Sequence, residues 1–451
     1  MYSRILLILG LLSALFIMWP SGIRSAEVDS KSLQKQVDEL KAKVSELETL
    51  KGQLKALEQK LKDLQNKQKP LEEDVQEVKK AQGPIKEVVD KLAKKQKELA
   101  FNFGGALRFN YYDTDYNHDN RDRGGDMAFD IFRLNVDGSY KDFLLSAEYR
   151  WYSYQNVIQH GWIGYNFTDK WQGKLGITEV PFGLLPYASH NYWFSIPYYV
   201  GHADDWDMGF KLHKKSDNND PWDLQLAFFK NAEWGSPSKL ARYSYDVVEV
   251  ASENQFNSET NQLNGRLAYV FHHGDLGTTE IGVSGQWGQL YNSQINSSGY
   301  HWAAAAHVNG HYGHWNPQLE IARYKYHPDN PAGVSDDFIQ LGAFEDSYPV
   351  VAHGTILVAN LAYDLPIDWG PISNLTFYDD YSVLLKDKDG YPNSHINTLG
   401  CLITSLPIYT YVDFIMGKNM IYLGGAHNSL AAGGSDTDWH LRFNINMGYY
   451  F

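Results

Sequence analysis

The sequence predicts an all-β transmembrane barrel of about 16 antiparallel strands, preceded by an α-helical coiled coil. Three observations carry that class. The last thirteen residues alternate apolar and polar, segments of the same alternation recur over residues 101–451, and the aromatic residues gather in that stretch. Of 65 Trp, Tyr and Phe residues, all but Tyr2, Phe16 and Trp19 lie there, 62 in 351.

Residues 1–26 read as a signal peptide. Arg4 gives a basic start, Ile5–Pro20 is an apolar run, and Ser25-Ala26 offers small residues for cleavage. The run is short for a membrane-spanning helix, which wants about 20 residues. Residues 27–84 read as a coiled coil. Leu33, Val37, Leu40, Val44, Leu47, Leu50, Leu54, Leu57, Leu61 and Leu64 are spaced by threes and fours, with one three-residue discontinuity. The whole of 27–100 has 17 Lys, 15 Asp+Glu and no aromatic residue, so an isolated helix leaves its apolar stripe exposed and is expected to associate. Pro70 breaks the seam. Gly83-Pro84 ends the coiled coil, and residues 85–100, with Ile85, Val89 and Leu92, form a helical linker.

The barrel occupies residues 101–451. Trp439, Leu441, Phe443, Ile445, Met447, Tyr449 and Phe451 alternate with His440, Arg442, Asn444, Asn446 and Gly448. A period of two means a strand with one apolar and one polar face. Similar alternation marks Trp171–Ile177, Trp222–Phe228, Leu263–Phe271 and Ile281–Trp287. Apolar residues toward lipid and polar ones toward a wet lumen is the pattern of transmembrane barrels. Sixteen candidate strands fit, near 101–112, 127–138, 143–152, 156–167, 170–179, 206–214, 221–230, 262–271, 276–288, 300–311, 314–325, 352–363, 373–383, 396–404, 408–417 and 438–451. The phase of the second, eleventh and thirteenth is ambiguous, so fourteen or eighteen strands stay open. Tight gaps alternate with long ones at 113–126, 180–205, 231–261, 326–351 and 418–437. An even count puts both barrel ends, and the coiled coil, in the periplasm.

Parity assigns the lumen. If Phe101, Phe103, Leu107 and Phe109 face lipid, Arg108 points inward, and the same logic turns in Arg133, Arg150, Lys174, Arg266 and Arg442. A cation on the lipid face near the midplane costs about 2–4 kcal/mol, which favours this placement. Most of these residues fall on neighbouring strands and are read as one pore-lining basic wall, suited to carboxylate and phosphate oxygens. The alternative is that each pairs with a lumen acid such as Glu148, Asp137 or Asp223 and only braces the wall. The loop 180–205 is aromatic and poor in charge, with Pro181, Phe182, Gly183, Trp193 and Tyr198 before Asp204, Asp205 and Asp207. So apolar a loop is expected inside the barrel as a constriction, its three aspartates facing the basic wall; a subunit-contact loop is the alternative.

These features resemble Gram-negative trimeric porins. The Gly176…Pro181-Phe182-Gly183-Leu184 stretch and the terminal strand Phe443, Ile445, Met447, Tyr449, Phe451, which resembles a barrel assembly signal, are similar to the phosphate-selective porin O and P family or related porins with an N-terminal coiled coil. The resemblance implies a homotrimer in the bacterial outer membrane, passing small hydrophilic, often anionic, solutes by diffusion. It departs from phosphate-selective members, which have a Lys-rich ladder. Residues 101–451 hold only 21 basic side chains against 39 acidic ones. Outer-loop acids such as Asp113, Asp115, Asp119, Asp122 and Asp126 suit divalent cations bridging lipopolysaccharide.

Other chemistry is set aside. The net charge argues against a nucleic-acid partner. Cys401 alone gives neither disulfide nor thiolate cage. Asp113–Asp119 has His118 where a calcium loop needs Gly. Of His307, His311 and His314, parity puts only two on one face, so no metal or other cofactor is expected, and no local Ser/His pair suggests an enzyme. The rival role is a structural tether reaching toward the cell wall through the coiled coil.

Overall fold

The computed structural model describes residues 30–65, 99–233 and 238–451. The expected signal peptide, the Pro70 break, the rest of the coiled coil and most of the linker lie outside the described residues. The chain forms two compact units, residues 1–95 and 96–451. In the first, α1 (Ser30–Gln65) is one continuous helix of 36 residues. Val37, Val44, Leu47 and Leu54 of the heptad seam are exposed on it.

In the second unit, sixteen strands among the described residues close into an antiparallel barrel. They are β1 (Leu99–Thr114), β2 (Asp126–Tyr140), β3 (Phe143–Trp151), β4 (Asn156–Asn166), β5 (Trp171–Glu179), β6 (Trp206–Lys214), β7 (Trp222–Ala232), β9 (Asn257–His272), β10 (Gly277–Asn292), β11 (Ser297–Tyr312), β12 (Trp315–His327), β15 (His353–Trp369), β16 (Ile372–Lys386), β17 (Ser394–Ser405), β18 (Ile408–Lys418) and β19 (Trp439–Tyr450). Each overlaps one of the sixteen segments expected from alternation. The barrel closes where β1 pairs with β19, Arg108 opposite Gly448 and Tyr111 opposite Ile445. The Gly105 and Phe451 backbones complete the seam with reciprocal hydrogen bonds of 2.9 and 3.1 Å.

Alternation sets the two faces. Phe101, Phe103, Phe109, Phe143, Leu175, Leu263, Val283, Leu319, Phe414, Met447 and Tyr449 are exposed on the outside, Phe103 at 79%. A soluble protein does not leave such a band in water, and a transmembrane barrel places it in lipid. Their neighbours in sequence, such as Asn444, Asn446, Gln286, Asn264 and Glu148, are buried inward. Connections at one end have two to seven residues, as at 141–142 and 215–221, and at the other up to 26.

The long connections are more ordered than loops need to be. Those at 233–256 and 328–352 carry β8 (Asp246–Val247), β13 (Phe338–Ala343) and β14 (Asp346–Val351), paired as a separate sheet in the order β14-β13-β8. This sheet was not expected. Together with the loop 180–205 it builds an apolar core inside the barrel mouth, with Phe182, Leu184, Ile196, Tyr198, Tyr245, Ile339, Leu341, Tyr348 and Leu430 all buried.

Candidate functional site

The loop 180–205 enters the lumen between β5 and β6. Its root is pinched by Val180 N–H donating to Asp205 O at 2.8 Å. From there the chain is pegged along one side of the barrel. Gly183 N–H donates to Ser284 Oγ on β10 at 2.9 Å, and Leu184 N–H to Glu320 Oε2 on β12 at 2.7 Å. Asn360 on β15 donates to Ala188 O at 3.0 Å. Asp380 on β16 accepts from the His190 and Asn191 amides at 2.6 and 3.0 Å and from the Asn191 side chain at 2.8 Å. Ile196 N–H, at the start of a short helix α2 (Ile196–Tyr199), donates to Ser382 Oγ at 3.0 Å. These pegs belong to strands β10 to β16. The opposite wall, β19 and β1 to β4, is left facing a cavity of about 830 Å³.

Two glycines of the loop motif have a geometric reason. Gly183 has φ +58°, and a Cβ there would collide with the Glu320 carboxylate that caps Leu184 N–H. Gly176 has φ +134° where β5 passes the Gly161 carbonyl of β4. Both conformations suit a residue without a side chain.

Arg108, Arg133 and Arg150 line the cavity on the strand side. Carboxylates hold each in place: Arg108 meets Asp130 at 2.8 Å, Arg150 meets Glu148 at 2.5 Å, and Arg133 meets Glu148 at 3.4 Å. Aromatic rings cover their faces. The Arg150 guanidinium lies 4.3 Å from the Tyr243 ring, Arg108 lies 5.3 Å from Tyr192, and Arg133 lies 5.3 Å from Tyr450. Arg442 extends the row, sandwiched between Tyr112 at 4.2 Å and Trp193 of the loop at 4.4 Å. Along this wall four guanidinium groups (Arg108, Arg133, Arg150, Arg442) stand in a row, and Asp130 and Glu148 pair with three of them.

Two expected wall members lie elsewhere. Arg266 is buried under the loop, donating to Gly183 O at 2.9 Å and pairing with Asp223 at 3.4 Å and with Glu280. It props the loop because β9 lies on the pegged side of the barrel. Lys174 points inward from β5, but its ammonium sits 4.1 Å from the Trp162 ring and outside the cavity.

The three aspartates divide as well. Asp204 lines the cavity, accepting from Trp206 Nε1 at 2.9 Å and from the Tyr243 hydroxyl. Burial pushes its carboxyl up to about 6, against the opposing effect of those hydrogen bonds and of Arg150. Asp205 and Asp207 do not face the basic wall. Asp204 has a left-handed backbone, φ +49°, and Asp205 and Asp207 are buried with Asp246 of β8.

The aromatic loop supplies Tyr187, Trp193, Phe194, Tyr198 and Tyr199 to the lining, as its composition implied, but sequence reasoning missed the rest: Tyr152, Tyr154, Tyr192, Tyr243, Tyr245, Phe344, Tyr411, Tyr422 and Tyr450 also border the cavity, with His160 and Asp346. The crowding of Tyr between 187 and 245 was the available signal. Asp130 was missed because a bulge in the β1–β2 pairing follows Arg108. A bulge shifts inward and outward parity by one residue, so Asp130 and Arg133, three apart, both face the cavity.

No protein-family model matches the sequence, and no curated protein matches it. Solved structures match it as folds. An anion-selective porin from Comamonas acidovorans aligns with a TM-score of 0.52 at 10% identity, over 78% of this chain and 100% of that one. The outer membrane channel DcaP of Acinetobacter baumannii gives 0.48 at 11% identity, over 79% and 98%. OprB of Pseudomonas putida gives 0.48 at 8% identity, over 80% and 96%. The closed ring of sixteen antiparallel strands, its lipid-facing apolar band and the first of these alignments lead to one conclusion: the chain has the barrel fold of Gram-negative outer-membrane porins.

Proposed function

We propose that the protein is an outer-membrane porin through which small hydrophilic anions diffuse passively, working as a homotrimer and without enzymatic chemistry. The observation that carries this reading is the asymmetric constriction, where three cavity-lining arginines face an aromatic loop pegged to the opposite wall. Charged constrictions of this kind select ions by field, and conduction needs binding weak enough to release the solute. Asp130 and Glu148 meet that need. They fix the guanidinium groups in position and cancel part of their charge, so an anion is attracted without being held. The tyrosine hydroxyls can hydrogen-bond a solute losing water, and their rings suit the less polar part of an organic anion. The short connections match the periplasmic turns of this class, and Leu99 begins β1 at that end, so the N-terminal helix belongs to the periplasm.

The test is the zero-current potential of the purified protein in a planar bilayer under a KCl gradient. A reversal toward chloride is expected, weakening as salt rises, because the Debye length falls to about 3 Å at 1 M. A reversal toward potassium overturns the anion assignment. A folded barrel with no conductance overturns the porin reading and promotes the tether.

A further inference from the structure

We infer that the root of the constriction loop is tied to the next long loop by a buried calcium site built from Asp205, Asp207 and Asp246, with Glu233 beside them. The three aspartates come from three separate places: the end of the loop 180–205, the start of β6, and β8 in the loop 233–256. One carboxylate oxygen from each lies within 4.8 Å of the others. Two oxygens bound to one ion at about 2.4 Å are at most about 4.8 Å apart, so a single Ca²⁺ fits between them.

Unpartnered oxygens are the independent sign of a ligand. Asp205, Asp207, Asp246 and Glu233 are exposed by only 6, 2, 1 and 1%. Yet Asp205 Oδ1, Asp207 Oδ1, Asp246 Oδ1 and Glu233 Oε2 accept from no N–H or O–H donor, and the Glu233 and Asp246 carboxyls lie against each other. A buried carboxylate oxygen left bare is costly, and native proteins satisfy such atoms. The other oxygens are held in place by the fold. Glu233 Oε1 accepts from the Tyr243 and Ser244 amides at 3.0 and 2.7 Å. Asp246 meets Arg242 at 3.2 Å, and Gln262 donates to Asp207 at 3.4 Å.

The charge balance points the same way. Glu259 also acts on Asp205, so five carboxylates (Asp205, Asp207, Glu233, Asp246, Glu259) stand against the one guanidinium of Arg242, a sum of −4 if all are ionised. So many buried carboxylates in one place are costly unless a cation offsets their charge. All the donors are hard oxygens, which suit Ca²⁺ or Mg²⁺ over transition metals. Mg²⁺ keeps several of its waters, whereas a buried cluster of carboxylates suits the more readily dehydrated Ca²⁺. A hollow bordered by Arg242, Val247 and Glu259 lies beside the cluster, Val247 following Asp246 in the chain. Bound there, the ion joins the loop root, the barrel wall and the capping sheet, because Asp246 pairs with Gly342 of β13.

The test uses the full-length protein in detergent, stripped with EDTA and titrated with Ca²⁺ by calorimetry at pH 7.5. One Ca²⁺ per chain is expected, with Mg²⁺ weaker and the heat-unfolding temperature raised by Ca²⁺. Asp205→Asn and Asp246→Asn each weaken Ca²⁺ on the order of tenfold, since affinity follows the charge count of the ligands. The exposed-loop variant Asp119→Asn/Asp122→Asn leaves the site unchanged. Both aspartate variants are checked as folded by heat-modifiable migration. The proposal is overturned if Ca²⁺ binding disappears in the exposed-loop variant, or survives at full strength in a folded Asp205→Asn/Asp246→Asn protein. It is equally overturned if the stripped protein gains nothing from Ca²⁺ at pH 7.5 but grows more stable on acidification to pH 5.5, the behaviour of a cluster held by protons.

Discussion

Arg150 and Glu148 form the tightest ion pair of the wall, and Glu148 is shared with Arg133. Removing the arginine therefore does two things: it deletes a cation and leaves the carboxylate with one partner. At a separation of about 4 Å a unit charge is worth about 1 kcal/mol to a passing ion in bulk water, so Arg150→Gln should cut chloride-over-potassium permeability severalfold. The reversal potential of the variant checks this, and Arg266→Gln, outside the cavity, should move it far less. Asp204 supplies a pH effect of definite sign. With its carboxyl pushed up to about 6, it is mostly ionised at pH 7.5 and mostly neutral at pH 5. The cavity therefore gains positive charge as pH falls, and anion preference should rise between those values. Glu179, Arg150, Trp206 and Tyr243 surround it, and His160 also lines the cavity. Asp204→Asn should flatten the curve; a full pH response in that variant assigns it to another group. Parity made Arg108, Arg133, Arg150 and Arg442 legible because a cation on the lipid face is expensive. It could not reveal Asp130, displaced by a bulge, nor foresee that Asp205 and Asp207 turn away from the wall.

The constriction is set by how an element is anchored. Asp380 receives three hydrogen bonds from His190 and Asn191 and lies 2.7 Å from the His190 ring. Asp380→Ala leaves those donors without a partner, at about 1–3 kcal/mol for each one that water cannot reach. The barrel itself does not depend on this contact. The variant should fold, show larger and noisier single-channel currents, and lose part of its anion preference; a wild-type conductance places the narrowest point elsewhere. That this loop enters the lumen was legible, because twelve residues such as Phe182, Trp193 and Tyr198 cannot be left in water between charged neighbours. Its anchors were hidden. On β16, Asp379 faces outward and Asp380 inward, so adjacent identical residues blur the phase. The capping sheet was hidden for a different reason. The two residues of β8 pair with β13 almost a hundred positions away, and nothing in a two-residue strand announces a distant partner.

At the scale of the whole molecule, the barrel's hydrogen bonding and its apolar exterior are complete within residues 99–451, whereas α1 has no such closure. Its residues Val37, Val44, Leu47 and Leu54 repeat at heptad spacing and are exposed, and a helix with that stripe is stabilised by pairing with copies of itself. We propose a matching division of labour: the helix holds chains together, and the barrel conducts. Deleting residues 27–84 should then leave single-channel conductance and reversal potential unchanged while weakening the oligomer, read as a lower temperature for trimer-to-monomer conversion in detergent. Placing Asp at Val44 and Leu47 should do the same without shortening the chain, since two charges on the seam oppose helix pairing. If the helix served as a tether, the deletion would instead detach the outer membrane from the cell wall, seen as blebbing, with trimer stability intact. Loss of conductance from a folded, closed barrel would show that the helix takes part in permeation, and the division of labour would fail.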